Sequence, residues 1–373
     1  MFLILLTKLF IGGMKMRKSI FVLMTVVLVF SFVAASCAPA PAEPEVVEVT
    51  RVVEKEGETV VEVVTATPEA KMEYKVAAVF PGVITDTDYN TIAYLGMTSL
   101  KEELGVEIAY SESVPVPDVE RVMREYVDAG YNVIWTHGAQ FLTQTIDLAK
   151  QFPEVVFIGE GDGAVEDPPE NFWIIDRNFH TSFYAIGALA AKATQTGKIG
   201  YLGGLTLPFS YAEVHAIEAA IADSGLDVEL IPVWAGDFND PTKARQLADA
   251  MIADGADIII GSLNLGMLGL FEAVKAADTT VLATAKYADK SSFAPDNYMT
   301  AVLYDFSVPL QEIVSKVMEG ETSGYYPLEY NAGFTIQTPL RNVSDDVAAE
   351  LDTLIAGYED GSLVVEKDTT PIE

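Results

Sequence analysis

From Tyr74 onward, short apolar runs alternate with segments whose apolar positions recur every three to four residues. YKVAAVF reads as a buried strand and VEIAYS, NVIWT, VVFIG and FWIID as further strands, and residues 90–104, 118–129 and 141–151 between them carry helical spacing. A second run repeats the arrangement: helix 182–193, strand IGYLGG, helix 211–224, strand VELIPVW, helix 241–254, strand DIIIGS, helix 268–276 and strand VLATA. Short apolar strands alternating with amphipathic helices predict parallel sheets covered on both faces. Each run is about a hundred residues, a usual domain size, so the expected fold class is α/β, with two lobes that are each a doubly wound parallel sheet with flanking helices. Strand MTAVLY, helix 309–318, strand GFTIQT and helix 345–358 are too few for a third domain and return to the two lobes, so several crossings between lobes follow. The expected division is 73–178 with roughly 303–325 for the first lobe, and 179–302 with roughly 326–365 for the second.

Ahead of Tyr74 the pattern changes twice. Lys15, Arg17 and Lys18 precede an apolar stretch at 20–32, and the small residues Ala34, Ala35 and Ser36 then lead to Cys37, the only cysteine. That is the order of a bacterial export signal. A thiol placed there accepts a diacylglyceryl group, and several acyl chains on one residue anchor stably where one does not. An uncleaved anchor helix, or an ordinary signal cut nearby, uses the same segment with the cysteine incidental. The expectation is a lipoprotein signal peptide at 1–36 and lipidation at Cys37, which places the protein on the extracytoplasmic face of the cell membrane. Residues 37–72, with Pro39, Pro41, Pro44 and Pro68 around Val-Val-Glu and Val-Thr units, predict an extended tether. A short hairpin there would be marginal alone.

Composition narrows the partners. The chain has 23 Lys and Arg against 55 Asp and Glu. Four of the basic residues (Lys8, Lys15, Arg17 and Lys18) and none of the acids lie in 1–36, leaving 19 basic residues against 55 acidic ones beyond it. Such a surface repels phosphate backbones and anionic lipid, which argues against nucleic acid as a partner and against charge-driven membrane attachment. With one cysteine there is no intramolecular disulfide, so packing must hold the fold.

In open parallel sheets, ligands bind beyond the carboxyl ends of the strands. Those ends carry Phe80 and Asp88-Tyr89-Asn90 in FPGVITDTDYN, His137 after NVIWT and Asp162 in GEGDG. In the second lobe they carry Gly203-Gly204, Trp234, Asn264 and Lys286-Tyr287. Facing each other, they would form a pocket with flat apolar walls and a few oriented polar groups. Tyr89 and Trp234 (or Phe238) are expected to sandwich a planar ring from opposite lobes. Asn90 and Asp162 would meet its polar edge, and Asn264 and Lys286 would contact it from the far side. Each position has a plainer reading: the aromatics as lobe packing, Asp88 as a helix cap, His137 as a hydrogen-bonded core residue, Lys286 as a solvent-facing cation. GEGDG is not a phosphate loop, because Glu160 and Asp162 repel phosphate and no Gly-Lys-Ser/Thr follows.

Enzyme signatures are weak. His137, His180 and His215 have no paired metal spacing, no Gly-x-Ser-x-Gly elbow is present, and the acids are too numerous to single out a glycosidase pair. No metal and no cofactor are expected.

Several short motifs share one likeness. Asp86-Thr87-Asp88-Tyr89-Asn90 with Gly96 six residues on, and Gly197-Lys198-Ile199-Gly200-Tyr201-Leu202-Gly203-Gly204, are the first two. Trp234-Ala235-Gly236-Asp237-Phe238-Asn239-Asp240, Asp254-Gly255-Ala256-Asp257 and Asp289-Lys290-Ser291 follow. With the lipoprotein signal, they resemble the basic membrane protein family, solute receptors of ABC importers that include purine nucleoside receptor lipoproteins. The likeness covers roughly residues 75–363. It implies a two-lobed type I periplasmic-binding-protein fold, a nucleoside-like ligand stacked between aromatics, and an ABC permease as partner. The chain also departs from the family pattern. Tyr89 stands where the family has the phenylalanine that stacks on the base, Asp88 replaces a serine, and Phe80 stands about where many members have an aspartate. The family's Ser-x-x-Lys is absent at Tyr304-Asp305-Phe306-Ser307. The expectation is a membrane-anchored solute receptor without catalysis; the alternatives are a sugar receptor of the same fold, a nucleoside hydrolase on a receptor-like scaffold, or a surface-display lipoprotein.

Overall fold

The computed structural model describes residues 47–55, 58–66 and 73–372; the apolar stretch at 20–32 and Cys37 lie outside the described residues. Ahead of the α/β body, β1 (Val47–Lys55) and β2 (Glu58–Ala66) pair antiparallel, with Lys55 opposite Glu58. Their Val- and Thr-rich sequences suit extended backbone. Because the chain doubles back on itself, this part reaches less far than a single extended tether.

The body begins with β3 (Lys75–Val79), α1 (Tyr89–Leu104), β4 (Glu107–Ser111), α2 (Val119–Asp128), β5 (Val133–Thr136), α3 (Leu142–Gln151), β6 (Val156–Gly161) and β7 (Phe172–Asp176). There follow α4 (Phe179–Ala193), β8 (Lys198–Gly203), α5 (Pro208–Ser224), β9 (Glu229–Trp234), α6 (Pro241–Ala253), β10 (Ile258–Ser262), α7 (Met267–Ala276) and β11 (Leu282–Tyr287). The chain ends with β12 (Tyr298–Tyr304), α8 (Ser307–Met318), β13 (Gly324–Pro327), β14 (Glu329–Tyr330), β15 (Gly333–Ile336) and α9 (Asp345–Glu359).

These strands build two sheets. The first runs β13-β7-β6-β5-β3-β4 and is parallel throughout. The second runs β14-β15-β12-β11-β10-β8-β9, with β12–β15 its antiparallel pair. Strand residues alternate between faces, as buried parallel strands must. In β3, Val76, Ala78 and the following Phe80 enter one apolar cluster, while Ala77 and Val79 enter another. In β10, Ile258 and Ile260 enter the first cluster and Ile259 a third. The cluster holding Val76 and Ile258 is continuous through both lobes.

The chain crosses between the sheets after β7, after β12 and after β13. The first and last crossings touch, since the Leu328 N–H donates to the Asp176 carbonyl at 2.9 Å. Helix α8 follows a strand of the second sheet yet packs on α1 of the first lobe. Gly96 permits this: a Cβ there would lie 2.9 Å from the Phe306 carbonyl carbon and 3.0 Å from the Ser307 nitrogen. Helices α4, α5 and α8 begin earlier than their periodicity indicated, at Phe179, Pro208 and Ser307. Strands β13 and β14 were not anticipated, being too short and too rich in Gly, Pro and polar residues to show a period. Among the described residues, no helix is long and apolar enough to cross a membrane.

Candidate functional site

The carboxyl ends of the two sheets meet around Tyr89, the first residue of α1. The loop before it is organised by Asp86. One Asp86 oxygen accepts from the Asp88 and Thr91 N–H groups and the Thr91 hydroxyl, and the other from the Asn90 N–H and side-chain amide, all within 3.1 Å. Burial opposes the charge, but these donors outweigh it and hold Asp86 below the ordinary carboxylate range. Asp86 therefore serves the helix N-terminus. Asp88, at the cap position, makes no capping bond. The plainer reading of Asp88 as a helix cap is corrected, because the loop brings Asp86 to those donors first. Asn90 is spent locally as well, accepting from the Gly82 N–H while its amide donates to Asp86.

Asp88 is left free to cross the site. It pairs with Lys290, which follows β11 in the second lobe, and both side chains are nearly inaccessible. Lys290 also donates to the Lys286 carbonyl at 2.9 Å. Burial pushes Asp88 up to about 7 against the pull of Lys290. A buried pair of this kind gives little net stability but penalises the loss of either partner.

Tyr89 is held from three sides. Its hydroxyl donates to Glu160 Oε2 at 2.7 Å, and its ring centroid lies 3.8 Å from that of His137 and 5.4 Å from that of Tyr287. Burial first, and Glu160 next, raise the phenol well above its usual range, so it remains a donor. His137 is fully buried, with Nδ1 2.6 Å from Glu160 Oε1 and Nε2 3.0 Å from the Tyr89 carbonyl. A carbonyl only accepts, so Nε2 carries a proton. A second proton lies between Nδ1 and Glu160, on one or the other, and the pair is neutral overall in either arrangement.

A second layer joins the lobes behind this one. Arg177, just after β7, grips Asp162 with both carboxylate oxygens at 2.6 and 2.7 Å. Its guanidinium sits 5.0 Å from the Phe209 ring centroid and 5.5 Å from that of Phe179. Burial opposes the charge, yet Asp162 and its neighbours hold Arg177 above the normal arginine range. Phe209 stacks on Phe238 with centroids 6.2 Å apart and planes 18° apart. Phe238 in turn lies on the Gly204 backbone, where a Cβ would collide with its ring. Lys286 is wholly buried, bonded to Glu213 at 2.5 Å, with its ammonium 3.8 Å from the Phe179 ring centroid and 4.8 Å from that of Phe209. Burial lowers it to about 8 against Glu213.

The residues expected from the sequence thus divide by location. Asp88, Tyr89, Asn90, His137, Asp162 and Lys286 lie in one connected network at the junction of the lobes. Phe80 stands one layer behind, fully buried, edge-on to Trp135 and His137. Trp234 belongs to the second lobe, its indole N–H donating to Ser210 and its ring edge-on to Tyr201 and Tyr211. Asn264 is half-buried beside Phe238, donating its backbone N–H to the Phe238 carbonyl, and its side-chain amide makes no hydrogen bond among the described residues. Tyr89 and Trp234 share no ring neighbour. Sequence reasoning did not name Arg177 or Glu213, and met Glu160 only as a charge that repels phosphate and Lys290 only within a family-like motif. A signal existed for Glu160 and Glu213, each a lone charge among buried positions of its element, because such charges are rarely buried without a partner.

The family of PnrA-like ABC transporter substrate-binding proteins matches residues 73–327. Basic membrane protein A2 of Borrelia garinii subsp. bavariensis is 29% identical over 252 residues, spanning 66% of this chain and 74% of that protein. A purine-binding protein of Brucella abortus is 25% identical over 299 residues, 79% of this chain and 83% of its own. Among solved structures, an ABC transporter solute-binding protein from Conexibacter woesei, 23% identical, superposes with a TM-score of 0.65 over 79% of this chain and 99% of that one. The fold is that of the two-lobed type I periplasmic binding proteins.

Proposed function

The chain belongs to the PnrA-like family of ABC transporter substrate-binding proteins, and from that premise we propose that it binds a purine nucleoside, or a related solute with a planar ring and polar edges, between its lobes. It then delivers the solute to an ABC permease, while a lipid on Cys37 holds it at the extracytoplasmic face of the membrane. One observation carries the reading of the site: aromatic rings from both lobes meet at Tyr89, flanked by buried polar groups from both sheet edges. A flat solute there gains ring contact on its faces and hydrogen bonds at its rim. The purine-binding relative supports the choice of ring.

The same geometry accounts for capture. Contacts from both lobes exist only when the lobes are together, so the solute shifts the population toward the closed form. Closing dehydrates Asp88 and Lys290, and the contacts made by the solute offset that cost. His137 has both ring nitrogens engaged and serves to fix Tyr89 and Glu160.

Mass spectrometry of the solute released on denaturing the purified protein tests the proposal. An intact purine nucleoside is the expected result. A sugar in its place would contradict the nucleoside assignment, and free base accumulating from added nucleoside would contradict a role without catalysis.

A further inference from the structure

We propose that Tyr287 is the second-lobe residue that contacts the solute, with its ring opposite Tyr89 and its hydroxyl reading the polar edge of the solute. The inference rests on the reading of the interlobe site as the solute site, and adds to it the residue that sets selectivity.

Tyr287 ends β11 at the carboxyl edge of the second sheet, where its backbone takes a φ of 77°. A bulky residue there is strained. The Ala288 N–H donates to the Lys286 carbonyl at 3.1 Å, closing a three-residue turn around Tyr287. Turns of that kind with positive φ are uncommon and persist where the surroundings impose them. Here the surroundings are the Lys290 ammonium, which donates to the same Lys286 carbonyl at 2.9 Å, and the Lys286 ammonium, 4.9 Å from the Tyr287 ring centroid. The result is a ring in direct contact with Tyr89 of the other lobe, 5.4 Å between centroids, backed by Tyr304 at 5.7 Å and Phe179 at 6.3 Å, so a planar solute enters between the two rings only as the lobes part.

The hydroxyl supplies the second argument. Other tyrosines of this cluster have engaged hydroxyls: Tyr89 with Glu160, Tyr201 with Glu213 and Tyr304 with Ser182. The Tyr287 hydroxyl has no hydrogen-bond partner among the described residues, although the residue is only 6% exposed. Unlike Trp135 Nε1 and His180 Nδ1, which are unpaired and sealed from solvent, this oxygen keeps an accessible face, so a partner from outside the chain can meet it. A polar atom on the rim of a solute lying against Tyr89 would do so. Trp234 has its ring against Tyr201 and Tyr211 and shares no ring neighbour with Tyr89.

Calorimetric titration of guanosine, inosine and adenosine into the wild type, Tyr287→Asn and Tyr287→Phe, with folding checked by circular dichroism, tests the assignment. Asparagine tolerates positive φ, so it keeps the turn and removes the ring. Tyr287→Asn is expected to weaken binding about 5- to 150-fold, the worth of one stacked ring. Tyr287→Phe is expected to retain affinity within about threefold for the weakest of the three nucleosides and to lose the preference among them. A folded Tyr287→Asn that binds as the wild type overturns the contact, and Tyr287→Phe with an unchanged order of preference overturns the hydroxyl's role. If the wild type binds none of the three, the purine reading falls and this inference falls with it. Binding by the wild type with no effect of either variant removes this inference alone.

Discussion

Replacing Glu160 separates shape from charge at the centre of the site. Its carboxylate is fully buried, accepts from the Tyr89 hydroxyl and shares a proton with His137 Nδ1. Glu160→Leu removes both bonds and leaves two buried polar groups unpaired. At about 1–3 kcal/mol for each such group, the loss is about 2–6 kcal/mol, a large share of a usual folding stability of about 5–15 kcal/mol. Glu160→Gln should behave differently. Its carbonyl can accept from Tyr89, and its amide can donate to Nδ1 of a neutral His137 whose Nε2–H still meets the Tyr89 carbonyl. Every bond then has a donor and an acceptor, so the expected change is under about 1 kcal/mol. Urea unfolding followed by circular dichroism reads both values. Equal destabilisation by Leu and Gln would refute the proton arrangement assigned to this triad, and a Leu variant as stable as the wild type would refute its structural role.

Other outcomes follow from the same structure. Cys37→Ala is expected to release the protein from the membrane fraction, and wild-type protein that takes up no labelled fatty acid would contradict the lipid anchor. Asp88, pushed by burial from 3.8 to about 7, binds its proton more tightly in the folded protein than in the unfolded chain. Its stabilising contribution is therefore full below about pH 4 and lost as pH rises through about 7. In Asp88→Asn the fall in melting temperature from pH 5 to pH 8 should be smaller, and an identical slope would contradict the assignment. Gly96→Ala places a methyl 2.9 Å from the Phe306 carbonyl carbon and should cost about 1–3 kcal/mol by overpacking α1 against α8. Unchanged unfolding in denaturant would show that the two helices are free to separate.

The repeating part of the fold was legible because buried parallel strands and their covering helices differ in period. Val76 and Ala77 already face opposite ways within a run of apolar residues. What could not be read was geometry that the chain acquires only on folding. Asp88 occupies the cap position by local pattern, yet the turn of the loop brings Asp86 to the helix N-terminus and frees Asp88 for Lys290, 202 residues away. Lys286 finds Glu213 from another element in the same way. Candidates at strand ends were visible because topology places those ends together. Partners across the site were not, since pairing between distant charges leaves no periodic trace. Tyr287 was visible as a strand-end residue but its turn was not, because positive φ at a residue without glycine's freedom has no sequence signature.

Hydrogen exchange with and without a saturating purine nucleoside tests most directly whether the solute binds between the lobes. Protection is expected in both sheet edges at once, in residues 80–92 of the first lobe and 282–292 of the second, with little change in the helices on the outer faces. Bound solute with protection confined to one lobe, or with no protection at either edge, would contradict an interlobe site.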